Sequence, residues 1–264
     1  MLSLIKNLLK YREFIVSNVK REFQLKYQAS ILGATWSVIN PLSMIFVYTV
    51  IFSQLMKARI PGVEGVFAYS IYLCSGIIIW GLFSEILTRC VDCFIDNASL
   101  IKKVNFPKIC IPATIVLGAF INFLIIFIIF LFFLLISNNL PSFELFFVFP
   151  ILMVLTIFAV GLGIFLGVLN VFFRDIGQFT KVLIQFWFWG TPIIYPMNIL
   201  PENIGLLLSF NPMTIIVSSM QAVFIDDLIL NWSALTIVFV VSIALMLFSL
   251  MFFRKHVNEI ADEI

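Results

Sequence analysis

Long apolar segments alternate along the chain with short segments that carry charge. Six segments are apolar over most of their length: 35–56, 66–94, 109–136, 145–173, 179–195 and 233–253. A hydrocarbon core about 30 Å thick requires about 20 helical residues at about 1.5 Å per residue. The sequence lacks the alternating pattern of a membrane β-barrel. The pattern therefore predicts an all-α integral membrane protein with six transmembrane helices.

The segment between the fifth and sixth predicted spans is apolar but interrupted. Its two apolar stretches, 204–210 and 213–225, are too short to cross a membrane, and each is bounded by Pro or Asn. Short broken segments beside a span are typical of re-entrant helices, which enter the membrane and return on the same side. We therefore expect re-entrant helices over 197–226. The alternative is a seventh and an eighth span, which the lengths disfavour.

Positive charge is distributed unevenly between the connecting segments. With the N-terminus in the cytoplasm, the inner segments hold all but three of the 16 Lys and Arg residues. The exceptions are Lys57 and Arg59 in an outer segment and Arg89 within the second span. The positive-inside rule therefore predicts an N-in, C-in topology.

The first 30 residues predict an amphipathic helix. No continuous apolar core precedes a small-residue cleavage site, so we do not expect a signal peptide. Apolar residues recur every three or four positions, at Leu4, Leu8, Tyr11, Ile15, Val19 and Phe23. The opposing polar stripe is Lys6, Lys10, Glu13, Ser17, Lys20 and Gln24. Such a helix lies at the cytoplasmic membrane interface, either as an anchor or as a docking surface for a cytoplasmic partner.

Composition agrees with the pattern and excludes several classes of protein. The 264 residues are 62% hydrophobic and 11% charged, whereas soluble domains are nearer half apolar and a quarter charged. This excludes a soluble domain, a disordered chain, a disulfide-rich secreted scaffold and a basic nucleic-acid-binding domain. We expect membrane lipids as surroundings and no nucleic acid as a partner.

The residues give no sign of an ATPase, a metal site or a catalytic site. No glycine is followed by lysine, so the phosphate loop of many ATPases is missing and ATP hydrolysis would require a separate chain. Cys90 and Cys93 have metal-ligand spacing, but the chain has no second such pair and a single histidine, His256. We therefore expect packing roles for Cys74, Cys90, Cys93 and Cys110, and no catalytic residue, metal or cofactor on this chain.

The second span carries Glu85, Arg89, Asp92 and Asp96 at spacings that place them on one helical face. Charges within a membrane usually face the protein interior or water, so a substrate path or a proton relay is one interpretation. We favour the other, in which this half of the helix lies near the cytoplasmic interface and Arg89 pairs with Glu85 and Asp92.

Small and aromatic residues are the remaining features of the spans. Ala159, Gly163 and Gly167 have the spacing that permits close helix approach, which we expect within one chain rather than between two. Aromatic residues gather near the span ends, as in a membrane aromatic belt, or alternatively as platforms for sugar rings.

Five blocks, in order along the chain, resemble the ABC-2 type polysaccharide-export permeases. The blocks are KYQASILGATW at 26–36 leading to Asn40-Pro41-Leu42, the second span at 69–84, LIKKVNFP at 100–107, NVFFRDI at 170–176, and WGTPIIYP at 189–196 followed by Asn211-Pro212. The resemblance covers essentially the whole chain.

The resemblance implies a single ABC-2 type transmembrane domain over 1–264, in the bacterial inner membrane. It implies a homodimer with two copies of a cytoplasmic ABC ATPase, which holds ATP and Mg. The substrate would be a polysaccharide on a lipid anchor of the undecaprenyl diphosphate type, with O-antigen expected and capsule or teichoic-acid polymers as alternatives. The loop at 97–108 would couple to the ATPase, and the re-entrant helices at 197–226 would gate the outer end of the channel.

Candidate residues follow for each role. The ATPase-coupling candidates are Leu100, Ile101, Lys102, Lys103, Phe106 and Pro107. The cations expected to attract the diphosphate of the lipid anchor are Lys20, Arg21 and Lys26. The substrate-pathway candidates are Trp36, Tyr48, Tyr72, Trp80, Trp187 and Tyr195.

Two functions of other classes compete with an ATP-driven exporter. A proton-driven secondary transporter would use the charges of the second span and should show internal repeats, which the sequence lacks. A membrane-embedded glycan transferase would need clustered acid and base residues. Asp226 and Asp227 are an adjacent acidic pair on the outer side, and no histidine or basic residue lies near them in sequence.

Overall fold

The computed structural model describes residues 10–27, 35–50, 67–103, 106–141, 143–225, 228–257 and 259–263, and within these ranges the elements are helices joined by turns. In chain order the α-helices are α1 (Arg12–Tyr27), α2 (Trp36–Tyr48), α3 (Ala68–Asp96), α4 (Ala98–Lys103), α5 (Cys110–Ile136), α6 (Val148–Phe172), α7 (Asp175–Trp189), α8 (Glu202–Ser209), α9 (Pro212–Phe224), α10 (Trp232–His256) and α11 (Glu259–Glu263). Short 3-10 turns occupy Glu144–Phe147 and Met197–Ile199. The predicted all-α class is confirmed.

Four helices are long and apolar enough to cross a membrane. They are Ala68–Asp96, Cys110–Ile136, Glu144–Phe172 and Trp232–His256, which match the second, third, fourth and sixth predicted spans. Each is a continuous helix with an apolar window of at least 18 residues, so length and composition together make it a candidate span.

The first and fifth predicted spans are not confirmed as full helical spans. Helix α2 has 13 residues, and the predicted residues 51–56 lie outside the described part of the chain. Helix α7 has 15 residues and ends at Trp189 rather than at Tyr195. Pro192 explains this end, because proline has no amide N–H for a helical hydrogen bond and disfavours helix at the residue before it.

Helix α3 is the central element of the bundle. In its most apolar window 72% of the residues are buried, against 28% in α5 and in α10. Helix α6 approaches α3 closely at two glycines. A Cβ added at Gly163 would lie 2.6 Å from Cys90 Cβ, and one added at Gly167 would lie 2.5 Å from Cys90 O, so the contact requires that both residues lack a side chain. The predicted small-residue contact is therefore within one chain, and Cys90 has the packing role expected of it.

Ring contacts define the two ends of the bundle. At one end Phe94 lies 5.6 Å from Phe253. At the other end Phe147, directly before α6, lies 5.0 Å from Trp232 at the start of α10. Phe67, directly before α3, lies 6.1 Å from Phe133 near the end of α5. Helices α3, α6 and α10 therefore run in one direction and α5 runs in the other. We call the first end the α4 end, because α4 follows α3 directly there.

Helix α1 has the amphipathic pattern that the sequence predicts. Its apolar stripe is buried or half-buried at Tyr11, Ile15, Val19 and Phe23, and it packs against α5. Its polar stripe is exposed at Lys10, Glu13, Ser17, Lys20 and Gln24. Residues 1–9 and 28–30 of the predicted helix lie outside the described residues, and its location at a membrane interface stays a prediction.

The apolar segment after α7 contains a bent helix pair. Helices α8 and α9 meet at an angle of 97°, with the break at Phe210 and Asn211. Helix α8 has no buried residue, whereas most of α9 is buried. This geometry fits a broken span or a re-entrant loop, so the predicted re-entrant helices stay a prediction.

Candidate functional site

Asn211 fixes the bend between α8 and α9. Its Oδ1 accepts hydrogen bonds from Trp187 Nε1 at 2.9 Å and from the backbone N–H of Met213 at 3.0 Å. Its Nδ2 donates to Gly190 O at 3.0 Å and to Thr191 Oγ1 at 3.2 Å. Asn211 is thus the N-cap of α9, with proline at the first helical position, and it also holds the end of α7.

The aromatic contacts of Trp187 show at which level of the bundle the bend lies. The Trp187 ring lies 5.2 Å from Phe83 and 6.4 Å from Trp80, and both residues are near the middle of α3. At its other end α9 reaches α5, where the Phe224 ring lies 5.1 Å from Phe130. Helix α9 therefore runs from the middle of the bundle toward the end opposite α4.

The irregular backbone between α7 and α8 is held by side chains of α3 and α9. Tyr69 OH donates to Ile194 O at 2.7 Å, and Tyr72 OH lies 3.0 Å from Pro192 O and 3.1 Å from Tyr195 O. Carbonyl groups that lose helical partners inside an apolar bundle need other donors. The two tyrosines supply these donors.

Gln221 ties the same turn to α9. Its Nε2 donates to Pro192 O at 3.3 Å. A Cβ at Gly76 would lie 2.8 Å from this nitrogen, so the absence of a side chain on α3 lets Gln221 reach the turn. The bend, the turn and α3 therefore form one hydrogen-bonded unit, which we call the bend cluster: Tyr69, Tyr72, Trp187, Asn211 and Gln221.

Two charged residues of α3, Arg89 and Asp92, form ion pairs with other helices. Arg89 Nη2 lies 2.5 Å from Glu22 Oε2 of α1, and Arg89 Nη1 lies 3.3 Å from Glu85 Oε1. Asn122 of α5 also donates to Glu85 Oε1, at 2.8 Å. A Cβ at Gly118 would lie 3.3 Å from Arg89 Nη1, so this glycine leaves room for the group.

Asp92 pairs with α7 rather than with Arg89. Its Oδ2 lies 3.0 Å from Lys181 Nζ, and Asn170 Nδ2 donates to its Oδ1 at 3.2 Å. The Oδ1 of Asn170 accepts the Gly177 N–H at 2.7 Å. The predicted pair of Arg89 with Glu85 is confirmed. The predicted pair of Arg89 with Asp92 is wrong, because Asp92 pairs with Lys181 instead.

The α4 end brings three parts of the chain together. The Phe106 ring lies 5.1 Å from that of Phe14 in α1. Lys108 Nζ donates to Val257 O after α10, and α11, which follows, contacts α4 and α6. We call α4 together with residues 106–108 the α4 segment. A force on this segment would reach α1 and the C-terminal helices directly.

Comparison with known proteins identifies the family. The family model described as ABC-2 type transporter matches residues 13–225, which is most of the chain. The chain belongs to the ABC-2 type transporter family. The matched range begins in α1 and includes the α4 segment and the bend cluster. With the four apolar spans, it confirms the predicted multi-pass inner-membrane transporter subunit.

Two curated relatives of this ABC-2 permease match nearly all of it, and a third matches three quarters of it. One O-antigen export system permease protein RfbA from Klebsiella pneumoniae is 30% identical over 251 residues, which is 95% of this chain and 94% of the relative. The protein of the same name from Myxococcus xanthus is 27% identical over 267 residues, with both chains fully covered. The polysialic acid transport protein KpsM of Escherichia coli is 22% identical over 75% of each chain.

The predicted substrate-pathway aromatics of this ABC-2 permease differ in how far they are buried. Tyr72 and Trp80 are buried, Trp187 and Tyr195 are half-buried, and Trp36 is 41% exposed. Tyr48 ends α2, and its side chain lies outside the described part. Trp80 and Trp187 are in ring contact, and Tyr72 binds the backbone of Tyr195. Contact of these residues with a polysaccharide stays a prediction.

The predicted coupling residues form a small helix and the turn after it. Ile101 and Phe106 are buried, Leu100 and Pro107 are half-buried, and Lys102 is exposed. The side chain of Lys103 lies outside the described part. Lys20 and Arg21 are exposed on α1, and Lys26 lies in its last turn, where its side chain is not described. Asp226 and Asp227 lie outside the described residues.

Sequence reasoning missed three residues of the bend cluster: Tyr69, Asn211 and Gln221. The Asn211-Pro212 dipeptide carries a signal for a helix start, since asparagine is a preferred N-cap and proline a preferred first residue. Tyr69 and Gln221 carry no such signal, because their partners are backbone carbonyls far away in sequence.

Proposed function

We propose that this chain is the permease subunit of an ATP-driven exporter that moves lipid-linked O-antigen from the cytoplasm across the inner membrane. The observation that carries the proposal is the similarity to the RfbA permeases of K. pneumoniae over 95% of the chain. ATP and Mg would be bound by a separate ABC ATPase, of which two copies would act on two copies of this chain.

The α4 segment is the proposed contact for the ATPase. Lys102 is exposed there, while Ile101 and Phe106 are each 8% exposed and anchor the segment to the bundle. Movement of the ATPase would push on α4, and Phe106 would pass that movement to Phe14 and α1. Helix α1 would in turn act on α3 through Glu22 and Arg89.

The bent pair α8–α9 is the proposed outer gate. Asn211 ties the bend to Trp187 near the middle of the bundle, and α9 leads from there toward the end opposite α4. A segment held at one point by four hydrogen bonds, with an exposed arm in α8, is suited to a hinged movement. The re-entrant course and the N-in, C-in topology are parts of the same proposal.

Two copies of the chain would enclose the channel. Helix α8 is exposed along its length, and the outward side of α7 carries exposed Phe179, Phe186 and Trp189. The turn between these helices has irregular backbone, which membranes accommodate where protein or a water-filled cavity covers it. A second copy facing α7 and α8 would supply that cover.

The substrate would enter beside α1. Lys20 and Arg21 are exposed on that helix, and with Lys26 they would attract the diphosphate of an undecaprenyl-type anchor. The sugar chain would then pass along aromatic side chains, for which Trp36, Tyr48, Tyr72, Trp80, Trp187 and Tyr195 are the candidates. Weak repeated stacking suits a polymer that must keep moving.

Deletion and complementation in the native cell test this proposal. Cells without the chain should accumulate lipid-linked O-antigen on the cytoplasmic side and lose it from the surface, and the unmodified gene should restore both. The tagged chain should copurify with an ABC ATPase. Normal surface O-antigen in the deletion strain would refute the proposal.

Capsular polymer is the second candidate substrate, because the similarity to KpsM covers 75% of both chains. The chemical composition of the polymer that accumulates in the deletion strain decides between the two. An accumulated polymer with the sugar composition of the capsule would transfer the assignment to this second class.

A further inference from the structure

An apolar groove of about 550 Å³ lies on the α4-end half of the bundle. Its walls come from Ile15 of α1, the first three turns of α5, the middle of α6, and Met246 and Leu250 of α10. Helices α5 and α10 are both largely exposed over their apolar windows, so the groove opens toward the surrounding lipid.

The wall of the groove is hydrocarbon almost throughout. Its one hydroxyl group belongs to Thr156, whose Oγ1 already donates to Leu152 O at 2.6 Å. An aliphatic chain could therefore enter without leaving a polar group unpaired, and its methylene groups would gain contacts with branched side chains.

Basic residues border the groove where it reaches the α4 end. Lys108 directly precedes the lining residue Ile109, Arg254 lies one helical turn after Leu250, and Arg12 lies one turn before Ile15. Residues one turn apart share a helix face, so Arg12 and Arg254 lie on the same faces as the lining residues Ile15 and Leu250. Lys108 is adjacent to the groove through its neighbour Ile109. Arg12 and Arg254 are exposed, and Lys108 is half-buried.

We propose that this groove binds an anionic phospholipid of the inner leaflet, with one acyl chain along the apolar wall and the phosphate beside the exposed Arg12 and Arg254. An apolar groove ending at a basic rim matches a ligand with a hydrocarbon tail and a negative head, and basic pockets between spans are typical sites for such lipids. Binding by tail and head together gives stable attachment where a single chain gives marginal attachment.

A membrane lipid bound in this groove would not depend on which polymer the chain exports. Its occupant would stay with the protein rather than be transported. A bound lipid in this position would also fill the space between α1, α5 and α10, and so would brace the helix that contacts Phe106.

Native mass spectrometry of the full exporter complex tests the proposal, with delipidated protein titrated with phosphatidylglycerol. Ala113→Trp would fill the groove, and Ile128→Trp is the matched control, because Ile128 is 62% exposed on the same helix and does not line the groove. We expect phosphatidylglycerol to bind about tenfold more weakly to Ala113→Trp, the change produced when about two methylene groups lose their contacts. The control should bind as the parent does.

The rim is tested by a second pair of variants, Arg254→Gln and Lys255→Gln. Both residues are exposed, but Lys255 does not follow Leu250 by one turn. Arg254→Gln should weaken phosphatidylglycerol binding and leave phosphatidylcholine binding unchanged, and Lys255→Gln should change neither.

If Ala113→Trp fails to fold, Leu117→Trp replaces it, because Leu117 lines the groove and is already 39% exposed.

Several outcomes would overturn the inference. Equal phosphatidylglycerol binding in Ala113→Trp and Ile128→Trp would exclude the groove as its site. Equal binding of phosphatidylcholine and phosphatidylglycerol to the parent would remove the role of the rim. Displacement of the phospholipid by lower concentrations of undecaprenyl phosphate would make the groove a carrier site, and absence of bound lipid in the parent would mean that another occupant, such as a second copy, covers it.

Discussion

The guanidinium Nη2 of Arg89 lies 2.5 Å from the carboxylate Oε2 of Glu22 and joins the N-terminal helix to the central span. The same guanidinium reaches Glu85, which also accepts a hydrogen bond from Asn122 of α5. Three helices therefore meet at one cation. Because α1 also touches the α4 segment through Phe14, this junction is the direct route from the α4 end into the bundle.

Replacing Glu22 by Gln should impair coupling more than stability. The two side chains are 32% and 41% exposed, so solvent screens the pair and its loss should cost at most about 1 kcal/mol. We expect ATP hydrolysis by the complex to continue while polymer export per ATP falls. Glu13→Gln is the matched control, since Glu13 is exposed on the same helix. Equal export by both variants would remove the coupling role of the pair.

Gly167→Ala should strongly destabilise the protein. Its Cβ would lie 2.5 Å from Cys90 O, a backbone atom, so α3 and α6 would have to separate, at a cost of about 1–3 kcal/mol. Gly81→Ala is the control, because no atom lies within 4 Å of a Cβ there, and it should be neutral or slightly stabilising. Thermal unfolding in detergent measures both, and similar melting temperatures would contradict the close packing of these helices.

Asn211→Ala should loosen the bend between α8 and α9. It removes the cap of α9 and leaves the Trp187 indole N–H without its acceptor, which together should cost about 2 kcal/mol or more. Asn231→Ala removes an exposed cap of α10 and should cost about 1 kcal/mol. Protease sensitivity near residue 210 should increase in the first variant alone, and unchanged sensitivity would show that Asn211 does not hold the bend.

Tyr72→Phe distinguishes a structural role of the Tyr72 hydroxyl, through its hydrogen bonds, from stacking of the Tyr72 ring on sugar. The variant keeps the ring but loses the hydroxyl that lies near Pro192 O and Tyr195 O. Pro192 O keeps the donor on Gln221, whereas Tyr195 O loses its side-chain donor, so the variant should cost about 1–3 kcal/mol. We expect lower thermal stability and reduced export. Normal stability with normal export in Tyr72→Phe, and loss of export in Tyr72→Ala, would instead support a ring that stacks on sugar.

Phe14→Ala should uncouple the α4 segment from α1. The ring of Phe14 contacts Phe106, and its removal leaves Phe106 in place without its partner on α1. We expect ATPase binding to persist while export decreases. Phe143→Ala is the control, because Phe143 is 74% exposed near the opposite end of the bundle. Export that decreases equally in both variants would exclude a specific role for this contact.

The parts of the fold that depend on local pattern could be predicted from the sequence. Apolar length gave the four spans, helical periodicity gave the amphipathic face of α1, and spacing gave the Glu85–Arg89 pair and the Gly163–Gly167 contact. The turn at Gly190-Thr191-Pro192 is a further local signal, and α7 ends at Trp189, directly before it. The predicted segment 179–195 nevertheless extends to Tyr195, because apolar residues continue beyond the proline.

The contacts that build the candidate site could not be predicted in the same way. Glu22 and Arg89 lie on separate helices, as do Lys181 and Asp92, and one sequence does not show which helices become neighbours. Tyr69 and Tyr72 bind carbonyl groups, which every residue possesses. Such partners become visible when the tertiary structure places the turn after α7 beside α3.

Transport by the purified complex distinguishes ATP-driven export of O-antigen from the other mechanisms. Proteoliposomes holding this permease and its ABC ATPase would be given lipid-linked O-antigen on the ATPase side, and polymer reaching the opposite side would be measured. We expect transfer that requires both chains and hydrolysable ATP and that persists when a proton ionophore is added. Transfer by the permease alone, or transfer driven by a proton gradient without ATP, would contradict it.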